Sequence, residues 1–293
     1  MRILVAGKTG QLARALAETS LPAGLGRDAI GRPRLDITDP EKIAAVLDAT
    51  RPALVINTAA WTDVDEAERQ PAAAYAVNRD GAARLALACA ERGIPLIHIS
   101  TDYVFSGAKK TPYQENDEAD AKCIYGRSKL EGERAVIRAS RENVIVRVSW
   151  LHSPFGKNFT GTILRLAGKG GEIPVVDDQA GCPTYAPHAA QALMRIAERI
   201  LTAPQAQRGI FHMAGRGSTT WAGFARKILA VSRAAGGPVA HVRNITTQDY
   251  PVRARRPSNS RLDCSRLEKE YGIILPCWED GVEQCVTRRL RMR

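Results

Sequence analysis

The chain contains a tyrosine and a lysine at a spacing that suits proton transfer. Tyr125 and Lys129 stand at the two ends of the segment YGRSK, so on a helix their side chains share one face. A free phenol has a pKa of about 10 and exchanges protons poorly at neutral pH, but a neighbouring ammonium group favours the phenolate and lowers that pKa. The pair is therefore a candidate for acid–base chemistry, although YxxxK also occurs by chance in many helices.

A hydroxyl at the end of a predicted strand strengthens this interpretation. The apolar run 95–100 predicts a buried strand, and Thr101 follows it directly. In open α/β sheets, ligands bind at the carboxyl ends of the strands. We therefore expect the Thr101 hydroxyl and the Tyr125 phenol to meet the same substrate oxygen, with Thr101, Tyr125 and Lys129 as the catalytic residues.

A glycine turn stands where a nucleotide diphosphate is bound in many α/β proteins. The segment GKTGQLA at 7–13 lies between an apolar strand at 2–6 and the start of a helix. Such a turn brings backbone N–H groups and a helix N-terminus close to a pyrophosphate. An ordinary strand–helix turn remains the alternative. The predicted cofactor contacts in this segment are Gly7, Thr9, Gly10, Gln11 and Leu12.

The end of the second predicted strand, at 28–31, indicates which dinucleotide is bound. An NAD enzyme usually has an acidic residue there for the ribose 2′-hydroxyl, but this chain has Arg32, and Asp28 stands slightly too early. A guanidinium suits a 2′-phosphate, so we predict NADPH and keep NADH as the alternative. Five more predicted cofactor contacts follow this strand or the third one: Asp36, Ile37, Ala60, Trp61 and Thr62.

Strand and helix patterns alternate through the first half of the chain, which predicts an α/β fold with a doubly wound, Rossmann-type parallel sheet. The predicted strands are 2–6, 28–31, 54–58, 95–100 and 144–148, and the helices between them are 11–17, 40–49, 72–92 and 125–140. Glycine and proline become frequent after Trp150, before two further helical patterns at 186–201 and 221–235. We predict a dinucleotide-binding domain at 1–150 and a smaller region at 151–293, with a boundary that need not be continuous.

Composition excludes several classes of protein. The 293 residues are 44% hydrophobic and 25% charged, which excludes a disordered or collagen-like chain, and no apolar run approaches the length of a membrane helix. Six cysteines without a CxxC pair predict reduced thiols in a cytoplasmic protein. The net charge of +11 fits a phosphate-bearing ligand, whereas 5% aromatic residues and the lack of any nucleic-acid module argue against nucleic-acid binding.

Taken together, these motifs resemble a known family. The segments 7–13, STDYVF at 100–105 and YGRSK at 125–129 are similar to those of the extended short-chain dehydrogenase/reductases, and within them to the dTDP-4-dehydrorhamnose reductases. Further similar segments cover nearly the whole chain: 35–39, 148–150, 158–159, 178–184, 219–221 and 256–262.

The resemblance implies an activity and a set of roles. The reaction is NADPH-dependent reduction of the C4 keto group of dTDP-4-dehydro-L-rhamnose to dTDP-L-rhamnose. Tyr125 supplies the proton, Lys129 holds the nicotinamide ribose, and Thr101 hydrogen-bonds the reacting oxygen. The implied contacts with the nucleotide-sugar, which the region 151–293 mainly binds, are Thr101, Asp102, Tyr103, Trp150 and Arg256. A core position for Trp150 and a solvated one for Arg256 are the structural alternatives.

One departure from the family concerns metal. Some members join two subunits through magnesium held partly by a glutamate of the first helix, but that position is Ala15 here. We therefore predict no metal, and a possible homodimer without a metal bridge. Two rival functions remain: reduction of another nucleotide 4-keto sugar, and a non-catalytic nucleotide-binding subunit, as in the regulatory subunit of methionine adenosyltransferase. His98, inside an apolar strand, is expected to be a core residue.

Overall fold

A six-stranded parallel sheet forms the centre of the protein. The structure, a computed structural model, describes residues 1–203, 205–250 and 252–292. In those ranges the strands are β1 (Arg2–Ala6), β2 (Gly26–Ile30), β3 (Leu54–Asn57), β4 (Leu96–Thr101), β5 (Val144–Val148), β6 (Leu151–His152), β7 (Glu172–Val176), β8 (Ala180–Gly181), β9 (Thr184–Tyr185), β10 (Gly209–Met213), β11 (Thr219–Thr220) and β12 (His241–Ile245).

The strand order of the central sheet is β2-β1-β3-β4-β5-β10, and every pairing in it is parallel. The predicted doubly wound, Rossmann-type fold is confirmed. Because the chain goes from β1 to one side and later returns to the other, the order reverses between β1 and β3. Crevices at such a reversal are where open α/β sheets bind their ligands.

Helices cover both faces of the sheet. In the described ranges the helices, both those on the sheet and those outside it, are α1 (Gln11–Glu18), α2 (Pro40–Thr50), α3 (Val64–Arg69), α4 (Pro71–Tyr75), α5 (Ala82–Ala90), α6 (Ile124–Ala139), α7 (Phe159–Ala167), α8 (Ala186–Thr202), α9 (Trp221–Ala234), α10 (Ser265–Tyr271) and α11 (Trp278–Arg291). The long helix predicted at 72–92 contains a π-helical stretch, Ala76–Gly81, between α4 and α5. Side chains in a π-helical stretch point in other directions than they would on an α-helix. The Ala-rich sequence pattern does not indicate this change.

Alternate residues of each strand enter two separate apolar layers, as the two-residue period of a strand requires. Ile3 and Val5 pack with α1 and α8 on one face. Leu4 and Ala6 pack with α2, α5 and α6 on the other. A sheet covered on both faces explains why its strands are continuous apolar runs.

The region after Trp150 is shared between two cores. α7, α9 and α11 enclose a third apolar cluster with β7 and β12, whereas α8 and β10 pack on the central sheet although they follow residue 150. The fold therefore crosses the expected boundary, and the division of function between 1–150 and 151–293 stays a prediction.

Two features are absent from the described ranges. None of their helices combines the length and hydrophobicity that a membrane span requires. Within the same ranges, no group of three or more His, Cys, Asp or Glu side chains is arranged to hold a metal ion.

Candidate active site

The first turn of α6 holds Tyr125 against the end of β4. A Cβ atom at Gly126 would lie only 2.2 Å from the Tyr103 carbonyl oxygen, so glycine permits this close approach. The Cys123 thiol accepts a hydrogen bond from the Gly126 N–H at 3.4 Å and caps the helix. The rings of Tyr125 and Tyr103 consequently meet edge to face, with centroids 5.7 Å apart.

A hydrogen-bond network joins Thr101, Asp102 and Ser149 beside Tyr125. The Thr101 hydroxyl donates to Asp102 Oδ1 at 3.0 Å, and the Ser149 hydroxyl donates to Asp102 Oδ2 at 3.2 Å. Burial raises the pKa of Asp102 to about 6, although these hydroxyl groups oppose the shift. Burial also raises the pKa of Tyr125 above its usual value, against the effect of a hydrogen bond with Thr101. The phenol is therefore protonated at neutral pH.

Lys129 lies one turn further along α6, as its spacing from Tyr125 predicts, but its amine is bonded elsewhere. Nζ donates to the Ile99 carbonyl oxygen at 2.7 Å and lies 3.3 Å from His98 Nε2. Burial lowers the pKa of this amine to about 8, with the nearby Glu133 opposing the shift. Lys129 is not among the groups that move the pKa of Tyr125, so the lowering expected from an adjacent ammonium group is not present in this structure.

The glycine turn lies at the reversal of strand order, beside the end of β2. The Gly7 N–H donates to the Ile30 carbonyl oxygen at 2.8 Å, and the φ of Gly7 is +122°, which favours glycine. A Cβ atom at Gly10 would have no neighbour within 4 Å, and α1 has no side-chain N-cap and no acidic residue in its first turn. Open space and unpaired N–H groups thus meet at one helix end.

Arg32 extends from the same edge. Its side chain is 72% exposed and its Nε lies 3.7 Å from the Asp36 carboxylate. Ile37 is buried against Gly81. Asp28 lies within β2, where it accepts two hydrogen bonds from Arg2 at 2.7 and 2.5 Å, so this carboxylate is engaged away from the strand end.

The loop after β3 is tied to α6 by an asparagine. Asn78, in the π-helical stretch, accepts from the Trp61 N–H at 2.8 Å and donates to the Trp61 carbonyl oxygen at 3.1 Å and the Ser128 hydroxyl at 3.0 Å. Ser128 in turn donates to the Tyr125 carbonyl oxygen at 2.8 Å. The predicted cofactor loop Ala60–Thr62 and the helix of Tyr125 are therefore held together by one buried side chain.

Trp150 is mostly enclosed in the C-terminal region. Its indole stacks on Trp221 with a centroid distance of 3.6 Å, and its Nε1 donates to the Ser260 hydroxyl at 3.1 Å. Only 8% of the residue is exposed. This is the arrangement of a core tryptophan, and its contact with a nucleotide-sugar stays a prediction.

Arg256 lies beside Tyr103 and is paired with an acidic residue. Its Nη2 is 2.7 Å from the Asp65 carboxylate on α3, and its charge lowers the pKa of Tyr103 against the larger effect of burial. The ion pair joins the segment around 254–256 to the first half of the chain. Asp65 was not identified from the sequence.

Sequence reasoning also missed several buried polar residues behind the site. Asn57, Asn78, Glu133 and Arg147 are 1%, 1%, 1% and 3% exposed. The available signal was a polar residue within or just after an apolar run, because buried polar groups need specific partners. The partners themselves lie far away in the sequence.

The chain matches proteins of one family over nearly its full length. The family described as RmlD substrate binding domain matches residues 1–291. A dTDP-4-dehydrorhamnose reductase of Sinorhizobium fredii is 45% identical over 287 residues, which are 98% of this chain and 97% of that protein. One of Escherichia coli K12 is 36% identical over 97% of this chain and 96% of that protein.

Solved structures give the same result. A dTDP-4-dehydrorhamnose reductase of Clostridium acetobutylicum has a TM-score of 0.91 at 33% identity and covers 100% of both chains. That of Bacillus anthracis, in complex with NADP, has a TM-score of 0.88 at 34% identity over 97% of this chain and 98% of the other. These similarities, with the strand order and the Thr101–Tyr125–Lys129 arrangement, establish that the chain belongs to the dTDP-4-dehydrorhamnose reductase family.

Proposed function

We propose that the protein catalyses NADPH-dependent reduction of the C4 keto group of dTDP-4-dehydro-L-rhamnose to dTDP-L-rhamnose. The observation that carries this proposal is the meeting of the glycine turn, Thr101 and the Tyr125–Lys129 helix along one edge of the sheet. Family membership supports the substrate. Reduction of another nucleotide 4-keto sugar is the second candidate, because the region after Trp150 departs from the regular α/β pattern and carries much of the predicted substrate site.

The residues at the strand-order reversal fit a dinucleotide. The space above Gly10 and the uncapped end of α1 suit a pyrophosphate, which helix N-termini bind through their N–H groups. Arg32 suits a 2′-phosphate. When bound, NADPH supplies the hydride for C4. The residues that we propose to hold the cofactor are Gly7, Thr9, Gly10, Gln11, Leu12, Arg32, Asp36, Ile37, Ala60, Trp61, Thr62, Tyr125 and Lys129.

The catalytic residues have distinct tasks. Tyr125 donates its phenolic proton to the oxygen at C4 as charge develops there. Its raised pKa supports this role, because the residue is in its proton-donating form at neutral pH. Thr101 hydrogen-bonds the same oxygen, for which its single hydroxyl proton must turn away from Asp102. Lys129 binds the cofactor ribose, one turn of α6 after Tyr125.

Asp102, Tyr103, Trp150 and Arg256 complete the proposed substrate contacts. Arg256 supplies a guanidinium for the diphosphate, which must compete with its existing partner Asp65. A homodimer without a metal bridge and a cytoplasmic location accompany this proposal as expectations.

The deciding experiment follows absorbance at 340 nm with dTDP-4-dehydro-L-rhamnose generated enzymatically in situ. Oxidation of NADPH that depends on the sugar is the expected result. NADPH binding without oxidation would favour another keto-sugar or the regulatory-subunit alternative. Absence of binding would contradict the interpretation of the glycine turn.

Replacement of Gly10 by valine tests the proposed pyrophosphate site. The backbone at Gly10 is extended, with φ −65° and ψ 159°, so valine fits the fold but fills the open space. We expect the Kd for NADPH to rise at least about tenfold, since displaced phosphate contacts are charge-assisted hydrogen bonds, with an unchanged Tm. Gly168→Val, at the exposed end of α7, is the control, and equal effects of the two variants would contradict the assignment.

Arg32→Ala tests the choice of dinucleotide. Loss of the guanidinium is expected to weaken NADPH by about tenfold or more and NADH by much less, because only NADPH has the 2′-phosphate. Titration of both dinucleotides measures the ratio. Arg34→Ala removes an exposed guanidinium two residues away and controls for net charge. A parallel loss of both affinities in Arg32→Ala would mean that Arg32 does not read the 2′-phosphate.

A further inference from the structure

Two buried polar residues, Asn57 and His98, lie behind Lys129 and have no part in the mechanism given above. They are directly opposite each other in the β3–β4 ladder, and Asn57 Nδ2 lies 3.0 Å from His98 Nδ1. On the far side of the ring, His98 Nε2 lies 3.3 Å from Lys129 Nζ. The three side chains are 1%, 0% and 2% exposed, so water does not compete for these bonds.

The orientation of the Asn57 amide is determined by a backbone group. Its Oδ1 accepts from the Ala59 N–H at 3.1 Å, and an N–H group can only donate. The NH₂ end of Asn57 therefore faces the imidazole. As a result, His98 Nδ1 must accept a hydrogen bond, and a neutral His98 carries its single proton on Nε2.

His98 is neutral in this environment, because burial and then the charge of Lys129 lower its pKa well below the usual value. Its Nε2–H consequently points at the Lys129 amine. An ammonium group has only donors, so a charged Lys129 would place two donors against each other. A neutral amine offers a lone pair to His98 and still donates to the Ile99 carbonyl oxygen.

We propose that Asn57 and His98 are positioning residues that favour the neutral amine of Lys129: Asn57 holds His98 in its Nε2–H tautomer, and His98 donates that proton to Lys129 in a hydrogen bond. The two residues are distant from Lys129 in the sequence, but the fold brings His98 against Lys129 and Asn57 against His98. Neither is expected to touch substrate or cofactor.

The other charged groups near Lys129 also affect whether its amine is protonated. Glu133, on the next turn of α6, favours the ammonium form, but Arg147 from β5 pairs with this carboxylate at 2.9 and 2.7 Å. Asp102, after β4, is engaged by Thr101 and Ser149. His98 is in direct hydrogen-bond contact with the Lys129 amine, and its Nε2–H opposes a positive charge on that amine. Burial lowers the pKa of Lys129 to about 8, so this amine titrates near neutral pH, where a hydrogen bond from His98 can shift its protonation.

The kinetic consequence rests on the proposed function. If charged Lys129 assists Tyr125, then kcat/KM for reduction is constant below the pKa of Lys129 and falls as pH rises through it. Any change that turns His98 into an acceptor stabilises the ammonium form and moves this decline to higher pH.

Asn57→Asp makes that change with minimal alteration of shape. A carboxylate still accepts from Ala59 N–H but also accepts from His98 Nδ1–H, which leaves Nε2 as an acceptor for the Lys129 ammonium. We expect the alkaline decline of kcat/KM to move up by at least about one pH unit. Asn143→Asp is the control, because Asn143, directly before β5, is equally buried but bonds to Val136 and Leu96.

Nitrogen-15 NMR of the five histidines tests the tautomer without any variant or activity. In the wild-type protein we expect His98 to be protonated on Nε2 and His212 on Nδ1, because His212 Nδ1 lies 3.0 Å from the Tyr113 carbonyl oxygen. In Asn57→Asp only His98 should exchange tautomer. Protonation of wild-type His98 on Nδ1 overturns the proposal whether or not the protein reduces the sugar. An unmoved alkaline decline in a variant with the exchanged tautomer overturns the link to Lys129.

Discussion

Replacing Tyr125 with phenylalanine is expected to lower kcat about 10²–10⁴-fold, the range for loss of a general acid. The ring keeps its edge-to-face contact with Tyr103, so the fold and the neighbouring side chains stay in place. What is lost is the phenolic proton and its hydrogen bond with Thr101. The measurement is steady-state NADPH oxidation at saturating sugar, with the Kd of NADPH determined separately.

Tyr271→Phe is the matched control. Tyr271 is on α10, and its hydroxyl donates to the Gln207 carbonyl oxygen, away from the carboxyl edge of the central sheet. This variant should keep kcat within about twofold, as expected for a group outside the reacting site. A Tyr125→Phe enzyme with normal turnover would assign proton donation to another group.

Glu133→Gln is expected to have the largest effect on stability. The Glu133 carboxylate and the Arg147 guanidinium form a two-point ion pair at 2.9 and 2.7 Å, and their side chains are 1% and 3% exposed. Removal of one charge leaves the other buried without a counter-ion, which typically costs about 3–5 kcal/mol. Urea denaturation should show this loss in the free energy of unfolding.

Glu172→Gln provides the comparison. Glu172 pairs with Arg243 at 2.7 Å, but the two side chains are 49% and 53% exposed, so water screens the interaction and its loss should cost about 0–1 kcal/mol. Similar losses in the two variants would mean that burial does not determine the strength of the Glu133–Arg147 pair. The same Glu133→Gln variant should lower the pKa of Lys129, because Glu133 favours its charged form.

Local sequence determined most elements of the first half of the chain, although α3 (Val64–Arg69) was not predicted. The strand expected at 144–148 is β5 itself, and the helix expected at 40–49 is α2, Pro40–Thr50, with Asp39 as its N-cap. Apolar runs, prolines and caps act within a few residues, so each element is encoded where it forms. The glycine turn was identifiable for the same reason.

The helix expected at 72–92 differs from the structure, because its middle is π-helical. An Ala-rich pattern predicts α geometry, but Ala76–Gly81 is π-helical, and its Asn78 bonds to Trp61 and Ser128. Gly132 of α6 permits this packing, because a Cβ atom there would lie 2.1 Å from the Asn78 carbonyl oxygen. That fit depends on a second helix about fifty residues away.

The sequence by itself determined the order of the elements, the class of fold and the residues proposed to carry the chemistry: a glycine turn after β1, a hydroxyl after β4, and Tyr125 and Lys129 on one helix face. Only the tertiary structure decided how those residues are bonded and charged. The amine of Lys129 contacts Ile99 and His98, and the phenol of Tyr125 has a raised pKa because burial outweighs its hydrogen bond with Thr101. Helical periodicity fixes which side chains share a face, but burial and partners from other strands depend on the register and packing of elements that are distant in the chain.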